Sequence, residues 1–369
     1  MREYVLVFLI GAVVAYALTP VCRSLALRAG AVAAVRQRDS HQHATPYFGG
    51  LAMLAGVAAA FLIASRLPFL SRYAIVTRDS IAVLIAGTII CVVGVIDDLV
   101  DLNALTKVAG QVLAAGVVVL GGVRMQWIPW RGGLVSLDPA FGVLITVVVV
   151  FLCTNAINII DGLDGLAAGI VAISALAFFV YAYWLTVVEG LARAQTASLI
   201  TIVMCGVCLG YLPHNFHPAR IFMGDSGSML LGLLFAASML SLTSQISYSD
   251  INHRAGLWAA YIPIIMPIVA LGLPFLDMFI AYTRRTWKGV WWFVADKQHL
   301  HHRLLQRGHS QLGAVFLMYG WTALLAFSAL ALGLYPSGWT AAIVVVAIIS
   351  TVAFTVVTGR KAAVEEGEA

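Results

Sequence analysis

The sequence of 369 residues is poor in charge, with Asp, Glu, Lys and Arg at 11%, against about 25% in an ordinary soluble domain. That scarcity excludes a water-soluble globular protein. Cysteine is scarce too, and Cys22, Cys91, Cys153, Cys205 and Cys208 all lie within or at the edge of apolar runs. No disulfide framework can be built on them, and Cys205-x-x-Cys208 sits mid-run without a second ligand pair, so both read as small core residues. Basic runs interleaved with aromatics are missing. The formal charge of +5, from 22 Lys+Arg against 17 Asp+Glu, therefore does not point to nucleic acid. The first apolar run has no small-residue cleavage site and its basic residues follow it, so it reads as a membrane span and not a leader. A soluble domain, a low-complexity tract and an internal repeat are absent as well.

What remains is apolar: 61% hydrophobic residues and a mean hydropathy of +0.95. At about 20 residues per span, this is an all-α polytopic membrane protein of about eleven transmembrane helices. The spans are expected at 4–22, 48–64, 80–96, 107–122, 140–157, 163–184, 195–212, 227–246, 258–282, 313–333 and 339–358. They form a single transmembrane domain over 1–358, followed by a short polar tail over 359–369. The Lys/Arg bias of the short loops puts the N-terminus outside and the C-terminus in the cytoplasm, although Arg66, Arg72 and Arg78 gather on the other side. The polar clusters follow spans 1, 3, 5, 7 and 9, which places all of them on one membrane face.

The third span ends in Asp97, Asp98 and Asp101, three carboxylates in five residues. Such a cluster is retained near a membrane mainly where a cation or proton offsets it, and oxygen-only donors suit Mg²⁺ or Mn²⁺; a solvated acidic helix end is the plain alternative. The fifth span runs into Asn155, Asn158, Asp161 and Asp164, spaced every three residues along one helical face, with Gly162 and Gly165 permitting a break. A simple turn would explain the glycines but not two asparagines in an apolar run. After the seventh span come His214, Asn215, His217 and Arg220, then Gly224-Asp225-Ser226-Gly227-Ser228 at a helix start. That arrangement suits a metal-bound diphosphate or an ordinary helix cap.

The ninth span carries Asp277, and the loop beyond it holds Asp296, Lys297, His299, His301, His302 and Arg303. Zinc spacing is lacking, so the cations and histidines fit phosphate recognition. The flanking Trp287, Trp291, Trp292 and Phe293 fit an amphipathic segment on anionic lipid. Lys107, at the start of span 4, either neutralises a carboxylate, holds a phosphate or snorkels to the interface. Together these groups are equipment for metal-assisted phosphoryl transfer. A transporter or flippase would place polar groups near the midplane of a repeated structure, and a purely structural subunit has no need of so many carboxylates.

Five motifs in order resemble one family, the polyprenyl-phosphate N-acetylhexosamine-1-phosphate transferases. They are Thr45-Pro46 with Gly49-Gly50; Asp97-Asp98 with Asn103, Lys107 and Gly110-Gln111; and Asn155-x-x-Asn158-x-x-Asp161-Gly-Leu-Asp164-Gly-Leu. Asn215 with Met223-Gly-Asp225-Ser-Gly-Ser and Asp296-x-x-His299-Leu-His301-His302-Arg303 complete the set. Leu300 interrupts the histidines, which resembles the branch loading GlcNAc-1-phosphate and not the peptidoglycan branch. Asp39-Ser40-His41 departs from the basic residue common before that histidine. The resemblance implies that UDP-GlcNAc and an undecaprenyl or decaprenyl phosphate give polyprenyl-diphosphate-GlcNAc and UMP, with Mg²⁺ or Mn²⁺. It implies a catalytic domain in a bacterial inner membrane, in contact with membrane lipid, with its site on the cytoplasmic face, and it admits a homodimer. Asp97, Asp98 and Asp225 are then the catalytic and metal-binding set, with Asp97 deprotonating or orienting the lipid phosphate. Lys107, Asn155, Asn158, Asp161, Asp164, Asn215, His299, His301, His302 and Arg303 bind substrate. A covalent aspartyl intermediate is the competing chemistry, and another UDP-N-acetylhexosamine or UDP-MurNAc-pentapeptide is the competing donor.

Overall fold

The computed structural model describes residues 1–32, 45–130, 133–188, 190, 194–243, 256–289 and 299–367, of which the side chains of 129, 133–134, 256–260 and 356–367 lie outside the description. Backbone polar groups in hydrocarbon must be satisfied within their own segment, and the apolar runs accordingly fold as helices. Among the described residues they are α1 (Arg2–Ala29), α2 (Gly49–Ala64), α3 (Ala74–Val100), α4 (Ala104–Leu120), α5 (Pro139–Ile160), α6 (Leu166–Val187), α7 (Gln195–Asn215) and α8 (Gly224–Thr243). There follow α9 (Gly256–Ala270), α10 (Gly272–Trp287), α11 (Leu300–Gln306), α12 (Gln311–Leu334) and α13 (Gly338–Gly367). An antiparallel hairpin of β1 (Trp127–Trp130) and β2 (Gly133–Ser136), with Trp127 opposite Ser136, joins α4 to α5. Local signals set the helix starts. Asn103 accepts the Thr106 N–H at 2.9 Å, Asp138 accepts that of Ala140 at 2.9 Å ahead of Pro139, and Ser310 accepts that of Gly313 at 3.1 Å.

Each of the eleven expected spans falls on a helix or, in one case, a pair. Among the described residues eight helices are long and apolar enough to cross a membrane, and α2 and α4 are shorter apolar helices. The ninth expected span differs. It is two helices, α9 and α10, bent by 73°. Pro263 and Pro267 lie inside α9 and Pro274 opens α10, and each proline removes a backbone donor and crowds the preceding turn. At the C-terminus α13 carries helical backbone through to Gly367, across most of the expected polar tail.

The site is positioned by α8. This helix is apolar on all sides and is packed by α2, α3, α5 and α7, as such a helix must be. Every residue from Gly224 to Thr243 is buried except Asp225. Glycines bring the neighbouring backbones close: a Cβ on Gly94 of α3 would collide with the Ser226 backbone, and one on Gly50 of α2 with the Gly227 backbone. Gly49 and Gly50 donate to the Phe222 and Met223 carbonyls at 3.0 and 3.1 Å, which fixes the start of α2 against the start of α8. At the far end of the bundle Glu3 accepts the Phe69 and Leu70 N–H groups at 3.0 and 2.9 Å, and Gln195 donates to the Phe69 carbonyl at 2.8 Å. The polar clusters are therefore gathered at one end, away from residue 1.

Candidate active site

Asp225 is the first side chain of α8 to leave the core, and three other elements converge on it. From α4, the Lys107 ammonium lies 3.0 Å from Asp225 Oδ2 and 2.6 Å from Asp97 Oδ2 on α3. From α5, Asn158 donates to Asp225 Oδ1 at 2.8 Å and to Ser228 Oγ at 2.9 Å. The Asp225 N–H donates to Asp98 Oδ1 at 2.9 Å, a charge-assisted bond at a helix N-terminus. Asp97 Oδ1 takes the Leu102 N–H at 2.8 Å. Asp98 Oδ2 is buried with no hydrogen-bond partner. Asp97, Asp98 and Asp225 thus share one pocket, while Asp101, the C-cap of α3, is exposed outside it.

Asn155, one turn before Asn158, donates to Gln111 Oε1 at 3.2 Å and to the Phe151 carbonyl at 2.7 Å, bracing α5 against α4. Beyond α5 the chain turns through Asp161–Gly165. Burial, with the charges of Asp225, Asp98 and Asp164 adding, pushes the Asp161 carboxyl up to about 8. Asp164 in this turn and Asn215 at the end of α7 are both buried. Asp164 Oδ2 pairs with His217 Nδ1 at 2.8 Å and accepts the Ala219 N–H at 3.1 Å. Asn215 accepts the Gly165 N–H and donates to the Ile221 carbonyl, both at 3.0 Å. Tyr319 donates to the Gly165 carbonyl at 2.5 Å. These bonds hold the turn and the strand of chain leading to Asp225.

The histidines form a second group. His299 Nδ1 lies 3.3 Å from Asp277 Oδ2 on α10, and Asp277 Oδ1 accepts the Leu300 N–H at 3.0 Å. His299 and His301 stack at 5.8 Å between ring centroids, and His301 and His302 approach to 4.3 Å. His301 is 1% exposed, and neither of its ring nitrogens has a hydrogen-bond partner. Burial first, then the His302 and His299 charges against the pull of Asp277, lowers it to about 3. A Cβ on Gly162 would strike His301 Nε2, so this glycine lets the histidine reach the Asp161 turn. Arg303 is exposed on α11. Asp39, His41, Trp291, Trp292, Phe293, Asp296 and Lys297 lie outside the described residues.

One position, Gly94, escaped the sequence reading, and another, Ser228, was read only as part of its motif. Ser228 completes the Asn158 bridge, and Gly94 admits the start of α8 beside Asp97. A small residue one turn before a membrane carboxylate was the available signal for Gly94. Comparison with known proteins places the chain in a family. The model described as glycosyl transferase family 4 covers residues 80–243. The decaprenyl-phosphate N-acetylglucosaminephosphotransferase of Mycolicibacterium smegmatis is 43% identical over 361 residues, 97% of this chain and 89% of that protein. The chain is a member of the polyprenyl-phosphate N-acetylhexosamine-1-phosphate transferase family. More distant members match as well. A probable undecaprenyl-phosphate N-acetylglucosaminyl 1-phosphate transferase of Bacillus subtilis is 32% identical over 86% of this chain and 82% of its own length. A phospho-N-acetylmuramoyl-pentapeptide-transferase of Mycobacterium bovis is 32% identical over 66% of this chain and 77% of its own. The family's matched segment contains Asp97, Asp98, Lys107, Asn158 and Asp225.

Proposed function

We propose that this membrane enzyme transfers GlcNAc-1-phosphate from UDP-GlcNAc to a decaprenyl or undecaprenyl phosphate, giving polyprenyl-diphosphate-GlcNAc and UMP. The observation that carries the reading is the convergence of Asp97, Asp98, Lys107, Asn158 and Asp225 from four helices at one end of the bundle. In the reaction an oxygen of the lipid phosphate attacks the sugar-bearing phosphorus of the nucleotide. The P–O bond to the UMP phosphate breaks, and UMP leaves with that electron pair. The relatives with this named activity span nearly the whole chain. We place the site on the cytoplasmic face of a bacterial inner membrane, following the Lys/Arg bias of the loops.

A divalent cation fits the donors. They are oxygens, and Asp98 Oδ2 is a buried acceptor without a partner. Among the described residues no group of three or more His, Cys, Asp or Glu is placed to hold a metal ion; Mg²⁺ held through one or two carboxylates plus substrate phosphates does not require one. When bound, such an ion neutralises the diphosphate and the charge developing on the leaving oxygen. Asp225, oriented by Asn158, would hold such an ion together with Asp98. Asp97, buried and fixed by Leu102 N–H, orients the lipid phosphate. Lys107 neutralises phosphate oxygens, and His299, His301 and His302 line the approach from the other side of the Asp161 turn. Asn215 and Asp164 set the shape of that turn.

Purified protein in nanodiscs with Mg²⁺, polyprenyl phosphate and a panel of UDP-sugars tests the reading. UMP release with UDP-GlcNAc, dependent on the lipid phosphate and on Mg²⁺, is expected. Release only with UDP-MurNAc-pentapeptide or another UDP-N-acetylhexosamine would reassign the donor, and release with none would remove the activity altogether.

A further inference from the structure

The pocket already contains a cation, and it belongs to the protein. The Lys107 ammonium bridges Asp97 Oδ2 and Asp225 Oδ2 at 2.6 and 3.0 Å, the two oxygens best placed to receive a divalent ion between α3 and α8. The remaining oxygens of both carboxylates are engaged, that of Asp97 by Leu102 N–H and that of Asp225 by Asn158. A divalent ion therefore competes with the ammonium for the same atoms and is repelled by its charge. Asp98 Oδ2 meanwhile stays buried without a hydrogen bond, an acceptor that the lysine does not satisfy. The pocket is thus complete for neither occupant: the ammonium leaves Asp98 unanswered, and a metal ion finds its ligands taken.

Resting on the function proposed above, we infer that Lys107 is a placeholder cation, which keeps the divalent ion out until it arrives with a diphosphate. On entry of that complex the ammonium leaves Asp97 and Asp225 for the phosphate oxygens, and it returns as the product departs. The structure permits the swing. The lysine side chain is 29% exposed, so it has an open way out of the pocket. The backbone beneath it is fixed by the Asn103 cap, by Gly110 packed against Val93, and by the Asn155 bond to Gln111. Only the side chain needs to move. The consequence is obligatory coupling between metal and nucleotide, since neither fills the site alone.

Mn²⁺ titration of the full-length protein in nanodiscs, read by the loss of the free Mn²⁺ electron paramagnetic resonance signal, tests this without turnover. Lys107→Gln should bind Mn²⁺ roughly 5- to 150-fold more tightly than wild type in the absence of nucleotide, the usual range of site-to-site coupling. Lys107→Arg keeps the charge and should stay as weak as wild type. In wild type, UDP-GlcNAc should tighten Mn²⁺ binding by a comparable factor, after subtraction of a protein-free titration, and in Lys107→Gln that factor should shrink. Equal or weaker Mn²⁺ binding by folded Lys107→Gln overturns the inference. Should that variant not fold, wild type decides: Mn²⁺ bound as tightly without UDP-GlcNAc as with it overturns the inference equally. Failure of the proposed function is read separately, from UMP release by wild type.

Discussion

Two groups of Asp and Asn side chains look alike in the sequence and do opposite work in the fold. Around Asp225 the ammonium of Lys107, the amide of Asn158 and the carboxylates of Asp97, Asp98 and Asp225 meet from four helices, and the lysine reaches the surface. Around Asn215 most bonds run to backbone groups of Gly165, Ala219 and Ile221, with the Asp164–His217 pair beside them, and both Asn215 and Asp164 are buried. The first arrangement keeps binding capacity for something that comes and goes. The second uses it up in holding the chain. Polar side chains in a membrane protein are therefore sorted by what their partners are, and not by residue type or spacing.

The sharpest way to break this comparison is Asp225→Asn. It removes the charge but keeps the shape, so turnover should fall by about 10²- to 10³-fold, as when a single charge-stabilising group is lost, with little change in melting temperature. UMP release within a fewfold of wild type would put Asp225 outside the chemistry. Gly94→Ala acts on the seam between the two helices that carry Asp97 and Asp225. Its Cβ would collide with the Ser226 backbone, and overpacking of this kind destabilises by about 1–3 kcal/mol. A lowered thermal midpoint together with reduced turnover is expected, and an unchanged midpoint would show that α3 and α8 are free to separate.

Asn215→Ala probes the other group. It orphans the Gly165 N–H and leaves one donor fewer at the Ile221 carbonyl, which Tyr211 still bonds at 3.0 Å. Leaving a buried group unsatisfied destabilises by about 1–3 kcal/mol. The thermal midpoint should drop while turnover at saturating substrate falls far less than in Asp225→Asn. If instead stability is untouched and nucleotide affinity collapses, Asn215 contacts substrate directly and the contrast between the two groups fails.

Much of this was legible in the sequence. Apolar runs fix where helices form because the bilayer leaves the backbone no other partner, and the parity of the polar clusters gathers them at one end. The bend between α9 and α10 was hidden because 258–276 is apolar without a break, and Pro263, Pro267 and Pro274 each suit a gentle kink as well as a 73° turn. Asp97, Asp98 and Asp225 are brought together as the motif order implies, yet the role of Lys107 was not settled by spacing. Snorkelling and ion pairing need the same residue at the same helix end, and only the position of Asp225, 118 residues on, distinguishes them. Asp164 and Asn215 were equally undecided, since a hydrogen bond to a distant backbone group leaves no periodic trace.

The smallest effect concerns His301, which belongs to neither group and tests whether the histidines are held dry. Its ring is neutral in the folded protein because burial lowers it to about 3, whereas an unfolded histidine titrates near 6.5. Below that value the unfolded chain binds the extra proton, so the stability is intact above about 6.5 and is lost as the pH falls toward 3. Between about pH 7.5 and 5.5 this linkage removes about 1 kcal/mol, and the thermal midpoint should decline accordingly. His301→Asn cannot titrate there and should flatten that part of the profile. A wild-type slope that persists in the variant would mean that the ring is hydrated, and that the Gly162 side of the pocket opens to water before any substrate arrives.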